Sequence, residues 1–151
     1  GQPLGYLGKQ LLDFRSGRRD NDGGQMQAMA GDLDDDGVQA VAGYFSALPP
    51  PPPATAVDPA VSAPARELTT NGDASRDLPA CLSCHAADAV RDSGAPRLEA
   101  QHPEYLAKQL GDFRAGRRSN DPAGVMRNVA ARLTDSEVRA LAAYLGSLER
   151  N

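Results

Sequence analysis

The chain has 151 residues and a net charge of −4, from 16 Lys and Arg against 20 Asp and Glu. That length allows one or two small domains, and the mildly acidic balance argues against nucleic acid and only faintly favours a partner with a basic docking face. No apolar run is long enough to cross a membrane, and with low aromatic content and no Trp the core is thin unless something besides side chains supplies apolar surface.

Residues 1–48 read as the first copy of an internal repeat whose second copy is 100–148. Tyr6-Leu7-Gly8-Lys9-Gln10-Leu11 matches Tyr105-Leu106-Ala107-Lys108-Gln109-Leu110. Asp13-Phe14-Arg15-Ser16-Gly17-Arg18-Arg19 matches Asp112-Phe113-Arg114-Ala115-Gly116-Arg117-Arg118, and Asn21-Asp22 matches Asn120-Asp121. After a one-residue insertion Met26 pairs with Met126, Leu33 with Leu133, and Ala40, Ala42, Tyr44 and Leu48 with Ala140, Ala142, Tyr144 and Leu148. Gly1-Gln2 aligns with Ala100-Gln101, so the first copy corresponds to the distal half of a domain. Its expected proximal half is a preceding segment absent from this sequence. Failing that, the copy is a relic that packs as a helical appendage. The start at Gly1, without Met or a visible signal peptide, suits a processed or trimmed product.

Residues 49–64 follow as a linker. Pro49 to Pro53 favour a stiff polyproline II spacer, which would set the distance between two units.

Residues 65–151 read as a complete helical domain. A short helix is expected around 65–70, stopped by Asn71-Gly72. Then comes Cys81-Leu82-Ser83-Cys84-His85. Cys-x-x-Cys-His is the attachment signature of a c-type haem: residues three apart on a helical turn share a face, so both thiols reach the two vinyl groups and the next residue, His85, projects under the iron as proximal ligand. These are the only two cysteines. A zinc site wants four ligands, a thioredoxin-like motif wants a βαβ setting, and a three-residue disulfide loop is strained. Such a motif carries one covalent haem c and implies export in bacteria.

Glu104–Ala115 places Tyr105, Leu106, Gln109, Leu110 and Phe113 at helical spacing before Gly116. Tyr105 and Phe113 are expected in a core that includes the porphyrin. Met126 follows the turn-rich Asn120-Asp121-Pro122-Ala123-Gly124-Val125. It is the one Met of the haem-bearing half and the candidate distal ligand, since a thioether opposite histidine gives a six-coordinate iron of raised potential; plain core filling is the alternative. His102, before Pro103 at a helix start, competes for that role or serves as a cap. Arg117 and Arg118, after the glycine that ends the helix, suit a haem propionate or a solvated surface pair. Thr134-Asp135-Ser136-Glu137 is a capping box opening a helix through Leu148. No alternating strand pattern appears, so the fold class is all-α.

Taken in order, Cys-x-x-Cys-His, Pro-x-Leu-x-x-Gln, Tyr-Leu-x-x-Gln-Leu-x-x-Phe-x-x-Gly-x-Arg, Asn-Asp, Met and Ala-x-Tyr-x-x-x-Leu resemble the class I cytochromes c. The resemblance is to the di-haem type, cytochrome c-four, and to the cytochrome subunits of flavocytochrome c sulfide dehydrogenases, over nearly the whole chain apart from the linker. It implies the class I cytochrome c fold, with a partial second copy at the N-terminus. It also implies a haem held by Cys81 and Cys84, with His85 and Met126 on the iron and the Pro96 carbonyl accepting from the His85 ring. Met26 would be the distal ligand of a first haem only if the preceding segment exists. Two departures stand out: Ala86 follows His85 where the family usually has Gly, and the first attachment motif is absent. The expected function is exported, periplasmic one-electron transfer between redox protein partners, not enzyme catalysis. The alternative is an electron-relay subunit of a larger dehydrogenase such as a flavocytochrome c-type complex, with a membrane-associated complex among the expected partners.

Overall fold

Helix boundaries follow the punctuation of the sequence. In the computed structural model, which describes residues 1–150, α1 (Leu4–Arg15), α2 (Gln25–Gly31) and α3 (Asp35–Ala47) form the first copy. The second uses α7 (Pro103–Arg114), α8 (Val125–Ala131) and α9 (Asp135–Ser147) in the same order. Between them lie α4 (Pro59–Thr70) and two single turns, α5 (Leu82–His85) and α6 (Val90–Ser93). Among the described residues the β content is one isolated bridge, Asp73 to Leu78.

The ends of α1 and α7 show why the repeat retains its glycine. Gly17 and Gly116 sit at φ +72° and +71°, a left-handed conformation that costs glycine nothing. The reversal lets the Arg19 N–H donate to the Asp13 carbonyl at 3.0 Å, and the Arg118 N–H to that of Asp112 at 3.1 Å. Each of these arginines is thereby folded back beside its own helix, over the Phe14 or Phe113 ring.

Helix α4 starts six residues earlier than the sequence suggests. Prolines at 59 and 64 read as breakers, yet Asp58 caps the helix by accepting from the Ala60 N–H at 2.7 Å, and Pro59 occupies the first turn, where a missing N–H costs nothing. The segment before it is extended from Leu48 (φ −68°, ψ 147°) and is pinned where the Ala54 N–H donates to the Gly146 carbonyl at 2.8 Å.

The two copies differ in how their last helix is covered. Helix α4 lies along α9, and Ala65, Leu78, Leu106, Leu133, Val138, Leu141, Ala142 and Leu145 close one buried cluster. Helix α9 also crosses close to the start of α7: a Cβ at Gly146 would fall 2.7 Å from the Gln101 carbonyl. No helix plays the part of α4 against α3 among the described residues. Tyr44 and Phe45 are 64% and 50% exposed, whereas Leu145, aligned with Phe45, is 4% exposed.

The copies meet through α1 and α7 in a reciprocal polar network. The Arg19 guanidinium donates to Gln10 Oε1 of its own copy (2.8 Å) and to Gln109 Oε1 and Tyr105 Oη of the other (both 3.1 Å). Arg118 mirrors it, donating to Gln109 Oε1 (2.8 Å), Gln10 Oε1 (3.1 Å) and Tyr6 Oη (3.2 Å). Asn120 Nδ2 reaches Asp13 at 2.7 Å, and Asn21 Nδ2 reaches Asp112 at 2.7 Å. Burial alone would raise both carboxyls. Hydrogen bonds to Asp13 from Lys9, Asn120 and Arg18, and to Asp112 from Lys108, Asn21 and Arg117, hold them below the usual range instead.

The expected capping box opens α9: Thr134 Oγ1 accepts from the Glu137 N–H at 3.2 Å, and Glu137 Oε2 from the Thr134 N–H at 2.8 Å. Glu137 also takes a two-pronged contact from Arg76, at 2.8 and 3.1 Å, tying the turn after α4 to α9. Arg76 holds the Glu137 carboxyl down to about 2, from 4.5. A lowered carboxyl contributes stability above its unfolded pKa and loses it as pH falls through the folded one. Glu137→Gln is therefore expected to lower stability at pH 7 by about 1–2 kcal/mol, allowing for partial exposure of the pair. Urea midpoints of the two proteins should converge as pH drops from about 4.5 towards 2; a gap that persists at pH 2 would contradict the assignment.

Candidate haem-attachment site

The attachment motif forms the turn its spacing demands. The His85 and Cys84 N–H groups both donate to the Cys81 carbonyl, at 3.0 and 3.3 Å, so Cys81, Cys84 and His85 share one tight turn. Ala86 leaves it at φ −64°, ψ 158°. Any residue adopts that conformation, so the alanine in the family's glycine position brings no backbone strain. Both thiols are free, Cys84 exposed and Cys81 half-buried beneath α4. Burial pushes the Cys81 thiol up.

His85 is buried, and its Nδ1 lies 2.7 Å from the Pro96 carbonyl. A carbonyl can only accept, so Nδ1 carries the proton and the lone pair of the neutral ring sits on Nε2. Burial lowers the pKa of His85, against the opposing pull of Pro96, which favours the neutral ring a metal requires. Nε2 has no hydrogen-bond partner among the described residues. Two free thiols and a pre-oriented imidazole with an unengaged Nε2 fit covalent haem. Zinc would need further ligands, and among the described residues no three His, Cys, Asp or Glu stand together as a metal site.

Met126 is the second residue of α8, not part of the preceding loop. The chain turns into α8 through left-handed Ala123 and Gly124, at φ 53° and 71°. Asp121 fixes the turn, accepting from the Arg127 N–H at 3.0 Å and from Arg127 Nε at 2.9 Å. Met126 is half-buried. Met26 has the same setting: second in α2, after left-handed Gly24, its N–H donating to Asp22 at 2.5 Å. His102 is exposed at the N-cap of α7.

The other candidates scatter. Arg117 is largely exposed and donates to Asp112 at 2.9 Å. Arg118 is buried in the interface, and Tyr105, 37% exposed, bonds Arg19 there. Gln10, Gln109, Asn21 and Asn120 hold that interface and were not singled out by their chemistry. Their signal was that polar residues on a helix and its following turn are identical in both copies.

An all-helical fold with this attachment turn defines a class I c-type cytochrome. The chain belongs to the cytochrome c family, whose model matches residues 66–149. Within the family it is similar to cytochrome c4 of Thiocapsa roseopersicina, at 40% identity over 99% of this chain and 77% of that one. The crystal structure of reduced recombinant cytochrome c4 from Pseudomonas stutzeri superimposes with a TM-score of 0.87 at 35% identity, over 99% of this chain and 83% of that one. A protein named thiosulfate dehydrogenase electron acceptor, from Stutzerimonas stutzeri strain A1501, is 36% identical over 98% of this chain and 68% of its own length. The protein is thus an electron-transfer cytochrome carrying covalent haem c. No helix among the described residues is long and apolar enough to cross a membrane.

Proposed function

We propose that the protein is a periplasmic one-electron shuttle whose working centre is a haem bound through Cys81 and Cys84, with His85 and Met126 as iron ligands. The observation that carries this reading is the His85 ring: Nδ1 is committed to Pro96, leaving Nε2 for the iron, one residue from a free thiol. The haem supplies reversible one-electron chemistry at the iron. The chain's own residues orient the imidazole, shield it from water and hold the ring by two thioethers. Tyr105 belongs to the haem's surroundings at the start of α7. Arg118 suits a propionate: its buried guanidinium has neutral acceptors only, among the described residues, and a buried cation is more stable beside an anion. Arg117, paired with Asp112, is the outer member of that edge.

On this reading residues 65–151 with the first half of α4, from Pro59, form a complete haem domain, the extended residues before α4 a linker shorter than the expected 49–64, and 1–48 the distal half of a second. Met26, set like Met126, would ligate a first haem brought by a preceding segment, and the bare face around Tyr44 and Phe45 supports such a segment as its cover. Donor and acceptor are redox proteins, and the chain itself performs no catalysis. A second reading, a relay subunit of a dehydrogenase complex, is favoured by the relative named an electron acceptor for thiosulfate dehydrogenase.

The expected outcome of intact mass spectrometry with a pyridine haemochrome assay is one covalent haem on residues 1–151, lost in Cys81→Ser/Cys84→Ser. Two haems on those residues alone would refute the assignment, because Cys81 and Cys84 are the whole supply of thiols.

A further inference from the structure

The first copy holds a peptide of the haem-bearing domain, Pro96–Arg97, that lies against His85. Gln2 Nε2 donates to the Arg97 carbonyl at 2.9 Å, and Gln2 Oε1 accepts from the Arg97 N–H at 2.8 Å. The second bond has a consequence beyond docking. The Arg97 N–H and the Pro96 carbonyl are the two ends of a single peptide unit, and the Pro96 carbonyl is 2.7 Å from His85 Nδ1. One planar, conjugated group therefore joins the Gln2 carboxamide to the imidazole.

The surrounding bonds keep this arrangement taut. Arg150 Nε and Nη2 donate to the Glu99 carbonyl at 2.9 and 2.6 Å, while its Nη1 donates to the Gly1 carbonyl at 3.1 Å. The same side chain thus ties the segment bearing Gln2 to the segment bearing Pro96. The Ala100 N–H is anchored on the Leu145 carbonyl at 3.2 Å. Gln101, the repeat partner of Gln2, instead accepts from the His102 N–H at 2.9 Å. The reach across the copies is thus a feature of this glutamine's setting, not of its residue type.

We propose that Gln2 is a positioning residue for His85: by accepting from the Arg97 N–H it orients and polarises the Pro96 carbonyl, strengthens that carbonyl's bond to the ring Nδ1–H, and so makes the state of the haem centre at Cys81 and Cys84 depend on docking of the first copy. Hydrogen bonds in a chain strengthen one another. A stronger acceptor on Nδ1 raises the basicity of the imidazole towards a metal. A more basic ligand favours the oxidised iron, so Gln2 holds the potential down. The inference rests on His85 being the proximal ligand.

The test uses the full-length holoprotein and two variants. Gln2→Leu removes both hydrogen bonds at similar volume. Gln2→Glu keeps and strengthens the acceptor for the Arg97 N–H while losing the donor. Two quantities are read: the potential of the haem on Cys81 and Cys84, and the His85 Nδ1–H proton resonance in the reduced state. Gln2→Leu should move the resonance upfield and shift the iron equilibrium towards the reduced form by about threefold, roughly 28 mV upward at 59 mV per tenfold. Gln2→Glu should leave the resonance at or downfield of its wild-type position. A clip that serves only to join the copies would lower the melting temperature of both variants and move neither quantity. An unchanged potential and resonance in Gln2→Leu, or upfield shifts in both variants, would overturn the proposal. If Gln2→Leu does not fold, the Gln2→Glu resonance decides alone. Failure of the underlying ligand assignment shows separately, as a wild-type ferric protein in which the His85 resonances carry no paramagnetic shift.

Discussion

Met126→Ala is expected to erase the weak charge-transfer band that methionine ligation gives at the red end of the ferric spectrum, and to open the iron to small exogenous ligands. The residue follows a fixed turn: left-handed Ala123 and Gly124, then the Asp121 carboxylate accepting from the Arg127 N–H. A thioether stabilises the reduced iron, so its loss should lower the potential by something on the order of 0.1–0.3 V, within the roughly 0.8 V range that axial ligands span. Met29, 70% exposed, is the control, since Met29→Ala should change neither spectrum nor potential. Retention of the band in Met126→Ala would remove Met126 from the iron. His102, exposed at the start of α7, would then be the residue to replace next.

The parts of this molecule that could be read from sequence are those written in short spans. Cys81, Cys84 and His85 fall within one helical turn, so their spacing is already their geometry. Thr134 and Glu137 cap α9 by bonds three residues apart, and the repeat set the order of helices in both copies. What could not be read depends on partners far along the chain. Gln10 and Lys9 on α1 and Asn21 in the turn after it have the polarity of a solvated surface, and nothing local says that this surface meets its own repeat. Arg118 offered a propionate partner or a surface cation. Burial against Gln10, Gln109, Tyr6 and Asn120 removes the second option and leaves a charged group among neutral acceptors. The early start of α4 was hidden for a different reason. Pro59 breaks a helix interior but suits a first turn, and the decision rests with Asp58 in front of it. The single turn of α6 left no periodic signal because four residues are too few to show a period.

Arg118→Ala should be the most damaging substitution outside the haem ligands. The change leaves Gln109 Oε1, Gln10 Oε1, Tyr6 Oη and Asn120 Oδ1 each short of a donor in a partly dry interface, and it removes the guanidinium stacked 4.5 Å from the Phe113 ring centre. Buried polar groups stripped of a partner cost about 1–3 kcal/mol each, but Gln10 and Gln109 keep bonds from Arg19 and the asparagines, so the net loss is expected at roughly 2–4 kcal/mol, or about 5–15 °C in melting temperature for a chain of this size. Lysine should not rescue it, because an ammonium cannot present the planar fork that reaches four side chains at once. Arg19→Ala should cost about the same, since its contacts are the mirror of these. The double variant should cost more than the two singles added, because each single leaves both glutamine oxygens a bond from the remaining arginine and only the double removes both guanidinium donors. Calorimetry on the four proteins measures that excess. Additive losses would mean that the arginines stabilise their own halves and not the junction. If they do hold the junction, opening it must also draw Gln2 away from Arg97, and Arg19→Ala, which removes the guanidinium not assigned to a propionate, should then raise the haem potential in the same direction as Gln2→Leu.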